Sequence, residues 1–132
     1  MNNLIHALQT QLFQAVESPE PIIEQLESRT VFLLAPLSML GQAHGASIAS
    51  ACSGLVAAID DVSTEATIHG APRWTSAQFI AQARAYPDAI ALDFSCNPGT
   101  RGLVQKLCKE AGIERFDCVV AQAQLKRWAV YE

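Results

Sequence analysis

Charge is scarce in this chain of 132 residues. Asp, Glu, Lys and Arg make up 17% of it and hydrophobic residues 50%, whereas soluble domains carry about 25% charged residues. A chain so poor in charge hides part of its surface, so a homo-oligomer or a place within a larger enzyme is expected. No basic stripe occurs. Lys and Arg are scattered from Arg29 to Arg127 and the net charge is −4, which argues against nucleic acid as the main partner. No apolar run approaches the roughly 20 residues of a membrane span. The N-terminus lacks the basic region of a signal peptide, so neither membrane nor export is expected. No C-x-x-C pair joins any two of the cysteines Cys52, Cys96, Cys108 and Cys118. The expectation is therefore no metal, reduced thiols and a cytoplasmic setting, with Cys52 and Cys118 as small core residues. A G-x-S-x-G elbow and a Walker loop are also missing, and no residue is assigned a catalytic role.

What is present centres on the stretch from Thr30 to Asp61. An apolar run, Thr30-Val31-Phe32-Leu33-Leu34-Ala35, leads through Pro36-Leu37-Ser38 into a segment rich in small residues, Met39 to Cys52. A second run, Leu55-Val56-Ala57-Ala58-Ile59, ends in Asp60-Asp61. This is strand, helix, strand. Gly70 and Pro72 mark a turn or short edge strand. Thr75 and Gln78 fit a capping box, opening a helix with Phe79, Ile80 and Ala83 inward and Tyr86-Pro87 at its end. Ala89 to Phe94 reads as a third strand. Asn97-Pro98 reads as the start of a helix whose apolar face is Leu103, Val104, Leu107 and Ala111, with Gly112 closing it. A fourth strand is expected around Cys118-Val119-Val120.

The alternation predicts an α/β domain over residues 30–121: a three-layer, Rossmann-like body with a mainly parallel sheet of four to five strands and helices on both faces. An N-terminal helical extension occupies 1–29, with Leu4, Ile5, Leu8, Leu12 and Val16 on one stripe and a second short helix after Ser18-Pro19. Residues 122–132 form a C-terminal tail. The first strand is expected at the centre, the second on one side and the third and fourth on the other. The winding reverses beside the first strand, and a crevice falls at the carboxyl ends there.

Two groups of residues face that crevice in this reading. A dinucleotide fingerprint wants glycine at three positions after the first strand, and these are occupied by Pro36, Ser38 and Gly41. Gly41, Gly45 and Ala49 share a helix face and suit close packing. Asp60 lies where such folds place the acid that binds ribose hydroxyls, with Asp61 beside it. Across the crevice, Ser95, Asn97 and Arg101 begin a helix and could hold an anion. The candidate ligand-binding residues are thus Ser38, Gly41, Asp60, Asp61, Ser95, Asn97 and Arg101, and the candidate guests are NAD(P), another nucleotide or a nucleotide-sugar. Cys96 and Arg101 are separated by four residues rather than the five of a phosphatase loop, which excludes that chemistry. His6, His44 and His69 are not spaced as metal ligands or as a dyad.

The run from Thr30 to about Leu125, with Asp60-Asp61, Gly70-Ala71-Pro72, Ser76 and Asn97-Pro98, resembles the small module that precedes the catalytic domain in FkbM-type methyltransferases and related sugar-modifying proteins. By that resemblance Asp60 and Asp61 match its acid pair, Gly70 and Pro72 its G-x-P motif, and Gly41 its last glycine. Pro36 and Ser38 depart from its glycine-rich turn. The resemblance implies a nucleotide- or nucleotide-sugar-binding accessory domain, not itself a complete transferase. A structural or oligomerisation domain without a small ligand is the competing expectation.

Overall fold

A computed structural model describes residues 29–118. The N-terminal helices expected before residue 29 and the tail beyond 121 lie outside the described residues. The order of elements is β1 (Thr30–Leu34), α1 (Met39–Ala51), β2 (Gly54–Ile59), β3 (Thr67–Ile68), β4 (Ala71–Trp74), α2 (Ser76–Gln82), a 3-10 turn at Ala83–Ala85, β5 (Ile90–Asp93), α3 (Pro98–Ala111) and β6 (Glu114–Asp117). They build a six-stranded sheet in the order β3-β4-β2-β1-β5-β6. Every pairing is parallel except the antiparallel β3–β4 pair.

The period-two alternation of β1 explains the layers. Val31 and Leu33 join Leu40 and Ala49 of α1 in one cluster. Phe32 and Leu34 point the other way and pack with Phe79 and Ala83, and with Val104, Cys108 and Ala111 of α3. On this second face the ring of Phe32 meets Phe79 at 5.0 Å, Tyr86 at 5.6 Å and Trp74 at 5.7 Å between centroids. β1 is buried on both faces, as a central parallel strand should be.

The local start and stop signals act as read. Thr75 Oγ1 accepts from Gln78 N, and the Gln78 side chain accepts from Thr75 N at 2.8 Å, which completes the capping box. Asn97 caps α3, and Gly112 closes it with φ 71°. α1 buries only the narrow stripe Leu40, Gly41, Gly45 and Ala49, because the helix lies too close to its neighbours for larger side chains.

Three differences from the expectation have physical causes. Among the described residues the sheet has six strands, since Thr67–Ile68 and Ala71–Trp74 form a hairpin at the β2 edge. Its two-residue turn, His69-Gly70, has positive φ at both positions, 54° and 83°, the geometry that fits the twist of a tight hairpin. The last strand among the described residues is Glu114–Asp117; of the run expected as the fourth strand, Cys118 falls in the turn after it, and Val119 and Val120 lie outside the described residues. Pairing with β5 sets its register, with Ile90 opposite Glu114 and Asp93 opposite Asp117, and the polar residues are accommodated by an ion cluster described below. Finally, α2 ends at Gln82 and tightens to the 3-10 turn before Tyr86.

Among the described residues no helix is long and apolar enough to cross a membrane, and no group of His, Cys, Asp and Glu could hold a metal.

Candidate functional site

β1 runs between β2 and β5, so successive connections leave in opposite directions and the loops at its carboxyl end part. A hollow of about 380 Å³ lies there, walled by Ser38, Asp60, Ser95, Cys96, Asn97 and Thr100 among others. A second hollow, of about 520 Å³, runs on between α2 and α3; Ala35, Asp60 and Thr100 border both. Pockets for small molecules span roughly 300–1,000 Å³.

The turn after β1 is held in an unusual backbone. Ala35 has φ 52°, the left-handed region in which side chains are disfavoured. Ser38 N donates back to the Ala35 carbonyl at 3.2 Å. Ser38 then caps α1: its Oγ accepts from Gly41 N at 3.0 Å and donates to the Phe94 carbonyl at 2.5 Å. One hydroxyl thus joins the turn after β1 to the end of β5. Gly41 does not border either hollow in the way Ser38 does. Its role is contact: a Cβ there would overlap the Pro36 carbonyl.

The acid pair divides its work. Asp60 Oδ2 accepts from the amides of Val62 and Ser63. Its backbone is fixed from the far side, where Asp60 N donates to Trp74 O at 2.9 Å and Arg73 donates to Asp60 O at 3.2 Å. Asp60 Oδ1 has no hydrogen-bond partner among the described residues, and the residue borders both hollows. Asp61 instead grips the start of α2, accepting from Ser76 N at 2.7 Å and Ser76 Oγ at 2.6 Å.

On the opposite wall, Asn97 Oδ1 accepts from Gly99 N at 2.9 Å and Thr100 N at 3.4 Å. Arg101 N returns to the Asn97 carbonyl at 2.8 Å. The Arg101 guanidinium turns away from the mouth and forms a two-pronged pair with Asp117, with a further bond to Ser95 O at 3.2 Å. The hydrogen bond to Asp117 pushes the Arg101 pKa above its ordinary value.

Beneath these walls lies a cluster that the sequence reading did not find. Asp93 is fully buried at the end of β5 and takes Arg115 Nε at 2.7 Å and Ser95 N at 2.8 Å. Arg115 also reaches Asp117 at 3.2 Å. The signal available was an aspartate closing an apolar strand beside the crevice. His69 was also passed over. Its Nε2 donates to the Pro36 carbonyl at 2.9 Å, since a carbonyl can only accept. The edge hairpin is thereby tied to the turn after β1.

The thiols separate by burial. Burial raises Cys52 to about 11 and Cys108 to about 12, and lifts Cys118 well above the ordinary range. Cys96 is exposed. Its nearest candidate cation, Arg101, is committed to Asp117.

Compared with protein-family models, curated proteins and solved structures, the chain gives no match. The fold and site define an α/β protein with a mostly parallel, doubly wound sheet and a walled crevice at its switch point.

Proposed function

We propose that this chain is a Rossmann-like accessory domain whose crevice holds the sugar of a nucleotide-type small molecule, in support of methyl-transfer or sugar-modifying chemistry carried elsewhere. The observation that carries the reading is Asp60. It closes β2, borders both hollows, has its backbone anchored by Trp74 and Arg73, and keeps one carboxylate oxygen uncommitted. A carboxylate so placed suits a pair of sugar hydroxyls. The association with FkbM-type chemistry draws its support from the acid pair at the end of β2 and the Gly70-Ala71-Pro72 hairpin. Thermal-shift titration of the full chain with nucleosides, nucleotides and nucleotide-sugars tests the reading. A rise in melting temperature with one of these classes, lost in Asp60→Asn, supports it; no shift at millimolar ligand with any class overturns it.

One observation favours a second reading, a domain that works by self-association. The large hydrophobic side chains exposed among the described residues are Leu37, Met39, Val62 and Leu103, and all four border the two hollows. Apolar side chains on the rims of two adjoining hollows, Leu37 and Met39 on the smaller and Val62 and Leu103 on the larger, suit a contact face. Sedimentation of the wild type and of Met39→Lys/Leu103→Lys decides: a dimer dissociated by the two charges supports it, and a wild-type monomer at high concentration refutes it.

A further inference from the structure

The smaller hollow has the wrong polarity for a phosphate. Phosphate sites in doubly wound folds use free amides at a helix start, glycines that let the backbone approach, and a guanidinium or ammonium. Here Pro36 has no N–H to offer. The Gly41 amide is taken by Ser38 Oγ. At the start of α3 the amides of Gly99, Thr100 and Arg101 all return to Asn97, and the Arg101 side chain is spent on Asp117 and the Ser95 carbonyl. None of the described residues bordering this hollow is basic.

Two of the bordering groups set the preference. Asp60 Oδ1 is uncommitted, and a carboxylate repels phosphate while accepting hydroxyl donors. Ser95 borders the hollow with 1% of its surface exposed, and its Oγ has no hydrogen-bond partner among the described residues. Buried hydroxyls nearly always find a partner, so an orphan at the wall of a hollow points to a missing one.

We infer that the guest carries no phosphate: it is a nucleoside, neutral or cationic, whose ribose hydroxyls donate to Asp60 and whose polar edge satisfies Ser95 Oγ. This rests on the reading of Asp60's hollow as a sugar site and narrows the class of ligand. Of the guests expected from the sequence, dinucleotides and nucleotide-sugars bring a pyrophosphate to a hollow that has an aspartate and no basic side chain on its wall.

Calorimetric titration of the full chain tests the inference, using adenosine, guanosine and uridine alongside their 5′-monophosphates, with inorganic phosphate as competitor. One nucleoside is expected to bind at least tenfold more tightly than its monophosphate, without competition from phosphate, and Asp60→Asn is expected to abolish binding. A monophosphate binding as tightly as its nucleoside, or more so, overturns the phosphate-free guest while leaving the sugar site standing. Absence of binding by all six overturns the inference; the site itself fails only if nucleotide-sugars and dinucleotides are silent too. Ser95→Ala gives a second readout. It is expected to leave the unliganded protein as stable as wild type or more so, since it removes an unsatisfied hydroxyl, and to weaken the nucleoside severalfold. Unchanged affinity in that variant removes Ser95 from the site and overturns that half of the proposal.

Discussion

The imidazole of His69 stands directly over Gly45: a Cβ at Gly45 would come within 2.5 Å of Nε2, the nitrogen that also holds the Pro36 carbonyl. The small residue on α1 and the ring on the edge hairpin are therefore one fitted pair, formed between segments 24 residues apart in sequence. Gly45→Ala is expected to destabilise by about 1–3 kcal/mol, the usual range for overpacking. In a His69→Ala background the same change should stabilise, because alanine is the better helix former by about 1 kcal/mol. Urea denaturation of the four proteins in the cycle measures this change of sign; equal effects in both backgrounds would show that the ring does not set the glycine requirement.

Asp93 and Arg115 make a buried charge pair with very unequal exposure. The carboxylate is fully covered and the guanidinium is 18% exposed. Arg115→Met leaves Asp93 unpaired against the sheet and is expected to cost about 3–5 kcal/mol. Replacing both, as Asp93→Leu/Arg115→Met, should cost distinctly less, since no orphan charge remains. Chemical denaturation of the single and double variants decides, and a double variant as unstable as the single would refute the pairing.

Ala35 is predicted to give way to glycine with profit. A left-handed alanine stores about 1–2 kcal/mol, and the extra freedom of glycine in the unfolded chain takes back roughly 0.5–1 kcal/mol. Ala35→Gly should therefore raise stability by up to about 1.5 kcal/mol. A lowered denaturation midpoint would mean that the turn after β1 does not hold φ 52° in solution.

The thiols fix an alkaline limit. Unfolded cysteines ionise near 9.0, whereas burial holds Cys52 protonated to about 11 and Cys108 to about 12. Between those values the unfolded chain gives up protons that the folded chain retains. The stability these thiols confer is whole below about 8.5 and is lost as pH rises through 9 toward 11 and 12. Melting temperature should fall over that window, and the fall should flatten in Cys52→Ala/Cys108→Ala. At pH 8 a disulfide reagent should label Cys96 rapidly and the other three only on unfolding; a second fast thiol would contradict the burial.

The sequence made legible what is local. Caps at Thr75, Asn97 and Gly112 act within one turn of chain, and the alternation of strands and helices depends on nearest neighbours. The position of β6 was not legible in the same way. Apolar character does not mark Glu114–Asp117, yet it pairs with β5, because Arg115 and Asp117 find counter-charges on other elements. The engagement of Arg101 was hidden for the same reason. Its helix position made it look available to an anion, and its partner Asp117 lies 16 residues on, across a strand boundary. Asp60 and Ser95 border one hollow because topology alone brings strand ends to one edge; which of their atoms stay open depends on bonds that sequence spacing does not encode.

The hydroxyl of Ser38 spans the gap between neighbouring strand ends by gripping the Phe94 carbonyl. The cleft is accordingly a mortise rather than a jaw: a bond within the chain itself cuts its width. On the proposed sugar-site reading, a molecule too broad for it would have to break that tie to enter, selection would operate on girth as well as on chemistry, and replacing one serine by alanine would loosen the gauge.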